Sequence, residues 1–199
     1  MTGYAPSLSV GSKPRPINER ETKKLEAIWS FEKYKSKSFN PELVDIFWRM
    51  CRPTSGMTVI DFGAGVGQYT RILKDKHLNA SGFEWTNEPW EAGDIHVQMG
   101  VVWRDRPWVR DADFAFCCNM LERTPPELVG LSIARILETC RQAFFAVSFV
   151  QDNRGADIGE PVQLTVMPFA WWRDLFREIG TVVEARDLID SGVFLVSAP

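Results

Sequence analysis

The run Met57-Thr58-Val59-Ile60-Asp61-Phe62-Gly63-Ala64-Gly65-Val66-Gly67 constrains this chain more than any other segment. Met57–Asp61 is a short β-rich stretch, and residues 67–76 read as a helix with Tyr69, Ile72 and Leu73 on one face. The glycines at 63, 65 and 67 therefore sit between a strand and a helix. Glycine lets a backbone turn sharply there and approach a ligand closely. The helix start then offers free N–H groups to a carboxylate or phosphate. Glu84 lies 23 residues after Asp61 and ends the next β-rich run, Ala80–Glu84. An acid at that position can accept both hydrogens of a ribose diol. A nicotinamide fingerprint, G-x-G-x-x-G, would need glycine at 68, where the chain has Gln68.

The rest of the chain alternates in the same way. Residues 1–18 read as irregular, and 19–35 as a short helix with Leu25, Ile28, Trp29 and Tyr34 apolar. Asn40 and Pro41 are suited to cap and open a helix that Pro53 and Gly56 end. Ile95–Gln98 reads as a third strand and Phe114–Cys118 as a buried fourth. Thr124-Pro125-Pro126-Glu127 has the form of a capping box opening a helix to about Arg141. Ala143–Val150 reads as a fifth, fully buried strand, and 151–166 as a polar loop. Pro168–Ile179 reads as a helix closed by Gly180. Val182–Asp187 and Val193–Ser197 read as a hairpin pair. Strands alternating with helices predict an α/β chain with a doubly wound, mostly parallel seven-stranded sheet and an antiparallel C-terminal hairpin strand.

A chain of 199 residues can bury one full core. Charge divides it at about residue 40. Eight of the 23 Lys/Arg fall in residues 1–40, against four of the 26 Asp/Glu. We read 1–39 as a basic, partly irregular arm and 40–199 as the folded domain. Such an arm is either a solvated tail or, through residues 13–37, a contact for nucleic acid phosphates. The net charge of −3 gives no global attraction to nucleic acid. No apolar stretch reaches 18 residues, so no membrane span is expected. Cys51, Cys117, Cys118 and Cys140 form no CxxC pair and read as reduced thiols of a cytoplasmic protein. No His/Cys cluster suited to zinc and no G-x-S-x-G nucleophile turn is present, so no metal is expected.

Val59–Gly67 resembles the first motif of the class I S-adenosylmethionine-dependent methyltransferases. Gly82-Phe83-Glu84 resembles their second motif. Asp113–Arg123 resembles their fourth, which in many members ends in L-E-H. The resemblance runs from about residue 40 to the end and implies a Rossmann-like fold that binds S-adenosylmethionine. It implies that Gly63, Ala64, Gly65 and Gly67 pass under the methionine part of that cofactor, with Asp61 orienting the loop and helping to hold the ammonium, directly or through water. Glu84 would hold the ribose hydroxyls, and Trp85 would either stack on adenine or simply pack. Asn119, with Met120 beside it, would end the fourth strand and face the sulfonium and the nucleophile, or else cap a helix. Asn119 is the one catalytic candidate.

Two positions depart from the pattern. Met99-Gly100-Val101-Val102 is apolar where relatives often carry an acid for adenine, leaving backbone atoms or Trp103. Arg123 replaces the histidine of L-E-H and cannot serve as a neutral base. Glu122 and Arg123 read as a structural ion pair or a solvated face. His77 and His96 read as structural. Trp171-Trp172 packs on the sheet or borders the substrate mouth. The sequence thus implies methyl transfer, most simply to a small-molecule acceptor. The alternatives are a non-catalytic partner that holds the cofactor, or a nucleic-acid enzyme using the basic arm. Asn119-Met120-Leu121-Glu122 is not the N/D-P-P-Y/F tetrapeptide of exocyclic-amine DNA methylases, and no Pro-Cys pair serves cytosine C5 attack.

Overall fold

The computed structural model describes residues 40–85 and 95–199, together with helical Lys23 and Ala27. The irregular stretch expected over 1–18, most of the helix expected over 19–35, and the basic arm lie outside the described residues. Helix α1 (Glu42–Cys51) leads into strand β1 (Thr58–Phe62), the glycine loop, α2 (Gln68–Asp75), β2 (Asn79–Glu84) and β3 (Val97–Met99). Then follow β4 (Ala112–Cys118), a 3-10 turn (Leu121–Arg123), α3 (Pro126–Leu137) and β5 (Cys140–Ser148). A second 3-10 turn (Arg154–Ile158), α4 (Phe169–Ile179), β6 (Thr181–Asp187) and β7 (Ser191–Ser197) complete the order.

The seven strands form one sheet in the order β3-β2-β1-β4-β5-β7-β6. β1 through β5 run parallel; β7 is antiparallel to both β5 and β6. After β1 the chain winds outward through β2 and β3, then returns to lay β4 on the other side. The β1/β4 junction is thus the switch point, where the carboxyl ends of an open parallel sheet leave a crevice.

Strand periodicity explains the layers. Side chains alternate faces along a strand, so Phe114, Phe116 and Phe144 enter one core while Ala115, Cys117, Phe145 and Val147 enter the other. The first face is covered by α1 and α2 through Phe47, Leu43, Tyr69 and Leu73. The second is covered by α3 and α4 through Val129, Ile133, Trp172 and Phe176. Phe47 anchors α1: its ring meets Phe114, Phe116 and Phe144 edge-on at 5.4–5.7 Å. Trp172 is fully buried beside Phe176, so it packs on the sheet. All four cysteines are buried free thiols. No helix among the described residues is long and apolar enough to cross a membrane.

Two local expectations are corrected. The capping box at Thr124 does not form: Pro125 is the N-cap and makes no side-chain cap bond. Thr124 is instead fully buried, with its carbonyl accepting the Thr165 hydroxyl at 2.7 Å. The helix also stops at Leu137 rather than Arg141, because Thr139 N–H and Oγ1 both turn back onto the Ile136 carbonyl. Cys140 and Arg141 then belong to β5. At α1 the cap is close to expectation: Asn40 Oδ1 accepts the Glu42 N–H at 3.1 Å, two residues before the assigned start.

Candidate functional site at the carboxyl ends of the strands

The loop after β1 is built by its glycines. Gly63, Gly65 and Gly67 have φ of 77°, 53° and 77°, in the left-handed region that side chains disfavour. A Cβ on Gly63 would stand 2.7 Å from Met120 Cβ and Cγ, so the loop also needs glycine to pass the end of β4. Gly63 N–H donates to the Phe83 carbonyl at 2.8 Å, tying the loop to β2. The Glu84 carboxylate makes a second tie. Its Oε2 accepts Gly65 N–H and its Oε1 accepts Trp85 N–H, each at 2.7 Å.

Asp61 lies beneath the loop, 1% exposed, and accepts the Thr70 hydroxyl at 2.6 Å. Burial, with the Glu84 charge adding to it, pushes its carboxyl up to about 7, against the pull of the Thr70 bond. Asp61 thus joins β1 to α2 under the loop.

The loop forms one wall of a cleft with about 840 Å³ of empty space, open solvent included. That is ample for a nucleoside-sized ligand. Gly63, Ala64, Gly65, Glu84, Trp85, Asn119 and Met120 all border it; Asp61 and Gly67 do not. Trp85 and Trp103 meet edge to face, 5.0 Å between centroids, and line it together. Val102 and Trp103 thus stand at the cleft, in the apolar stretch that follows β3. The turn that carries them is shaped by Asp105, whose Oδ2 accepts Val101 N–H at 2.8 Å. Asn119 immediately follows β4 at φ 54°, a conformation asparagine tolerates better than most residues. Neither histidine borders the cleft, and neither does Trp171 or Trp172.

No protein-family model and no curated protein sequence matches the chain. Solved structures do. A chain of the Haloferax volcanii complex between the Trm112 methyltransferase activator and a methyltransferase superposes with a TM-score of 0.68 at 14% identity, over 92% of this chain and 98% of that one. The Burkholderia thailandensis 1,6-didemethyltoxoflavin-N1-methyltransferase, solved with S-adenosylhomocysteine, gives 0.65 at 14% identity, over 94% and 93%. A TehB-like S-adenosylmethionine-dependent methyltransferase from Corynebacterium glutamicum gives 0.62 at 12%, over 92% and 100%. The fold is that of the class I methyltransferases.

In that methyltransferase fold, the segment after β4 departs from what its sequence suggests. Glu122 is fully buried and Arg123 nearly so; neither is a solvated face. Nor do they bridge each other among the described residues. Glu122 Oε1 accepts Ser148 N–H at 3.3 Å, and burial pushes its carboxyl up to about 7. Arg123 lies 4.0 Å from Asp152 and borders the cleft. Sequence reasoning also overlooked Thr70. Its position two residues into α2, nine after Asp61, was the available signal for that buried pair.

Proposed function

We propose that this chain is a methyltransferase that uses S-adenosylmethionine and acts on a small-molecule acceptor. The observation that carries the reading is Glu84. A 7% exposed carboxylate borders the cleft at the end of β2, already oriented by two backbone N–H groups.

The site's donor set suits the cofactor. Glu84 would accept the ribose hydroxyls. The Trp85 and Trp103 rings offer flat apolar walls to a base, which supports a base contact without the missing acid. Gly63–Gly65, closed against Met120, would let backbone run beneath an amino-acid tail at the start of α2. The Glu84 carboxylate at the cleft favours a cationic ligand over a neutral one. When bound, the cofactor supplies an electrophilic methyl carbon on a sulfonium. The residues of this chain then contribute orientation and exclusion of water rather than strong base chemistry. Asn119 and Met120, between the loop and Arg123, are the groups we assign to the reacting centre. We further propose that residues 1–39 are an arm outside the catalytic domain and that the enzyme works in the cytoplasm, where its four buried thiols stay reduced.

Calorimetry with S-adenosylmethionine on wild type and Glu84→Ala tests the cofactor reading. We expect wild type to bind and the variant to lose at least about tenfold in affinity, roughly 1.4 kcal/mol. Absence of binding by wild type overturns it. Tight binding with no S-adenosylhomocysteine formed across a broad acceptor panel would favour a non-catalytic partner instead.

A further inference from the structure

Arg123 is a buried cation that no carboxylate among the described residues meets at hydrogen-bond distance. Its side chain is 10% exposed, and it borders the cleft next to Asn119 and Met120. Its Nε is buried with no hydrogen-bond partner. Among the described residues its side chain makes no hydrogen bond, and its one ion contact is Asp152 Oδ2, 4.0 Å from Nη2. A guanidinium carries five N–H donors. Leaving donors of a desolvated charge unmatched is costly. A structural ion pair would place a carboxylate in bidentate contact, as guanidinium–carboxylate pairs commonly do.

Two acids face this region. The Glu122 carboxylate is turned to β5, bound to Ser148 N–H, and does not border the cleft. Asp152 follows β5 and stays at the limit of ion-pair distance. Of these three charged residues, only Arg123 borders the cleft.

Topology places Arg123 away from the cofactor acids. Glu84 ends β2 and Arg123 follows β4, with β1 and the glycine loop between them. The cleft is thus acidic on its β2 side and cationic on its β4 side. We propose that Arg123 binds an oxyanion of the methyl acceptor, so that the acceptor is a small molecule carrying a carboxylate or a phosphate. This rests on reading the cleft as a methyltransferase site. The terminal nitrogens of Arg123 supply the parallel N–H pair that such oxyanions accept.

The test is calorimetric titration of the full chain, saturated with S-adenosylhomocysteine, with benzoate, inorganic phosphate and benzamide, the uncharged analogue of benzoate. Wild type is expected to bind benzoate or phosphate at least about tenfold more tightly than benzamide. Whichever anion is preferred separates a carboxylate from a phosphate acceptor. Arg123→Gln is expected to abolish that preference. Asp152→Asn, which removes the nearby counter-charge, is expected to tighten the preferred anion about threefold, a gain that a purely structural role for Arg123 would not produce. Three results overturn the inference: no preference for either anion in wild type up to about 10 mM, a preference retained by Arg123→Gln, or no gain in Asp152→Asn. If Arg123→Gln does not fold, Asp152→Asn decides alone. Failure of wild type to bind S-adenosylhomocysteine overturns the methyltransferase reading itself; binding without anion preference overturns only this inference.

Discussion

Replacing Glu84 by Gln removes one charge from a site where both carboxylate oxygens hold backbone N–H groups at 2.7 Å. Two charge-assisted bonds, worth about 1.5–3 kcal/mol each, become one neutral bond worth about 0.5–1.5. The other N–H, of Gly65 or Trp85, is left facing an amide NH2. The gross loss is about 2.5–4.5 kcal/mol. One effect opposes it: the Glu84 charge helps raise the Asp61 carboxyl, so the variant relieves that repulsion wherever Asp61 is ionised. A net loss of about 2 kcal/mol near pH 8 follows, or about 4–8 °C in melting temperature for a chain of this size. With the Asp61 carboxyl at about 7, the relief disappears on acidification. The deficit of Glu84→Gln should therefore be larger at about pH 5.5 than at about pH 8. Thermal melts of the ligand-free protein at the two values check both points. An unchanged melting temperature, or a deficit that shrinks at the lower pH, refutes the reasoning whatever the chain binds.

Other outcomes follow from the same geometry. Asp61 and Glu122 both titrate near 7 in the fold, above their unfolded values, so between roughly pH 4 and 7 the folded state binds protons that the unfolded state has released. Their stabilising contribution is complete below about pH 4 and is lost as pH rises through 7. Wild type should melt higher at about pH 5.5 than at about pH 8, and Asp61→Asn with Glu122→Gln should flatten that slope. Gly63→Ala forces φ 77° on a side chain and sets its Cβ 2.7 Å from Met120, so denaturant unfolding should show a loss of about 2 kcal/mol or more. Phe47→Ala removes a fully buried ring from three aromatic contacts and should cost about 3–5 kcal/mol in the same assay.

Much of the fold was legible in the sequence because each strand is short, apolar and bounded by Gly, Pro or polar residues. All seven strands formed, and the glycine loop fell between β1 and α2 as expected. Boundaries were less legible where periodicity is silent. The apolar positions of α3 run straight into β5, a strand buried on both faces, so Ile136, Leu137 and Cys140 look like one continuing helix. Only the turn of Thr139 back onto Ile136 separates them. Glu122 was illegible for a different reason. A charged residue beside Arg123 looks locally like a solvated turn. Its burial depends on a segment some 40 residues later, whose Leu164 and Thr165 N–H groups donate to the Glu122 carbonyl at 2.7 and 2.9 Å.

The buried charges also say where this chain departs from what stability alone would favour. Among the described residues the fully buried carboxylates are Asp61, Glu84 and Glu122. Asp61 and Glu84 close β1 and β2, and Glu122 follows β4, so all three lie at one end of the sheet. Elsewhere the neighbouring strands β4 and β5 bury Phe116, Ala143 and Phe144 side by side with no polar group among them. Two of these acids have carboxyls raised to about 7 by burial, so each weakens the fold at neutral pH, where an apolar or amide residue would not. A chain that can fill its sheet so thoroughly with aromatic and aliphatic side chains has no packing reason to keep three acids at the carboxyl ends. Of the three, only Glu84 borders the cleft, so a cationic or hydroxyl-bearing ligand there would offset the cost of that acid directly, while Asp61 joins β1 to α2 beneath the loop and Glu122 is tied to β5.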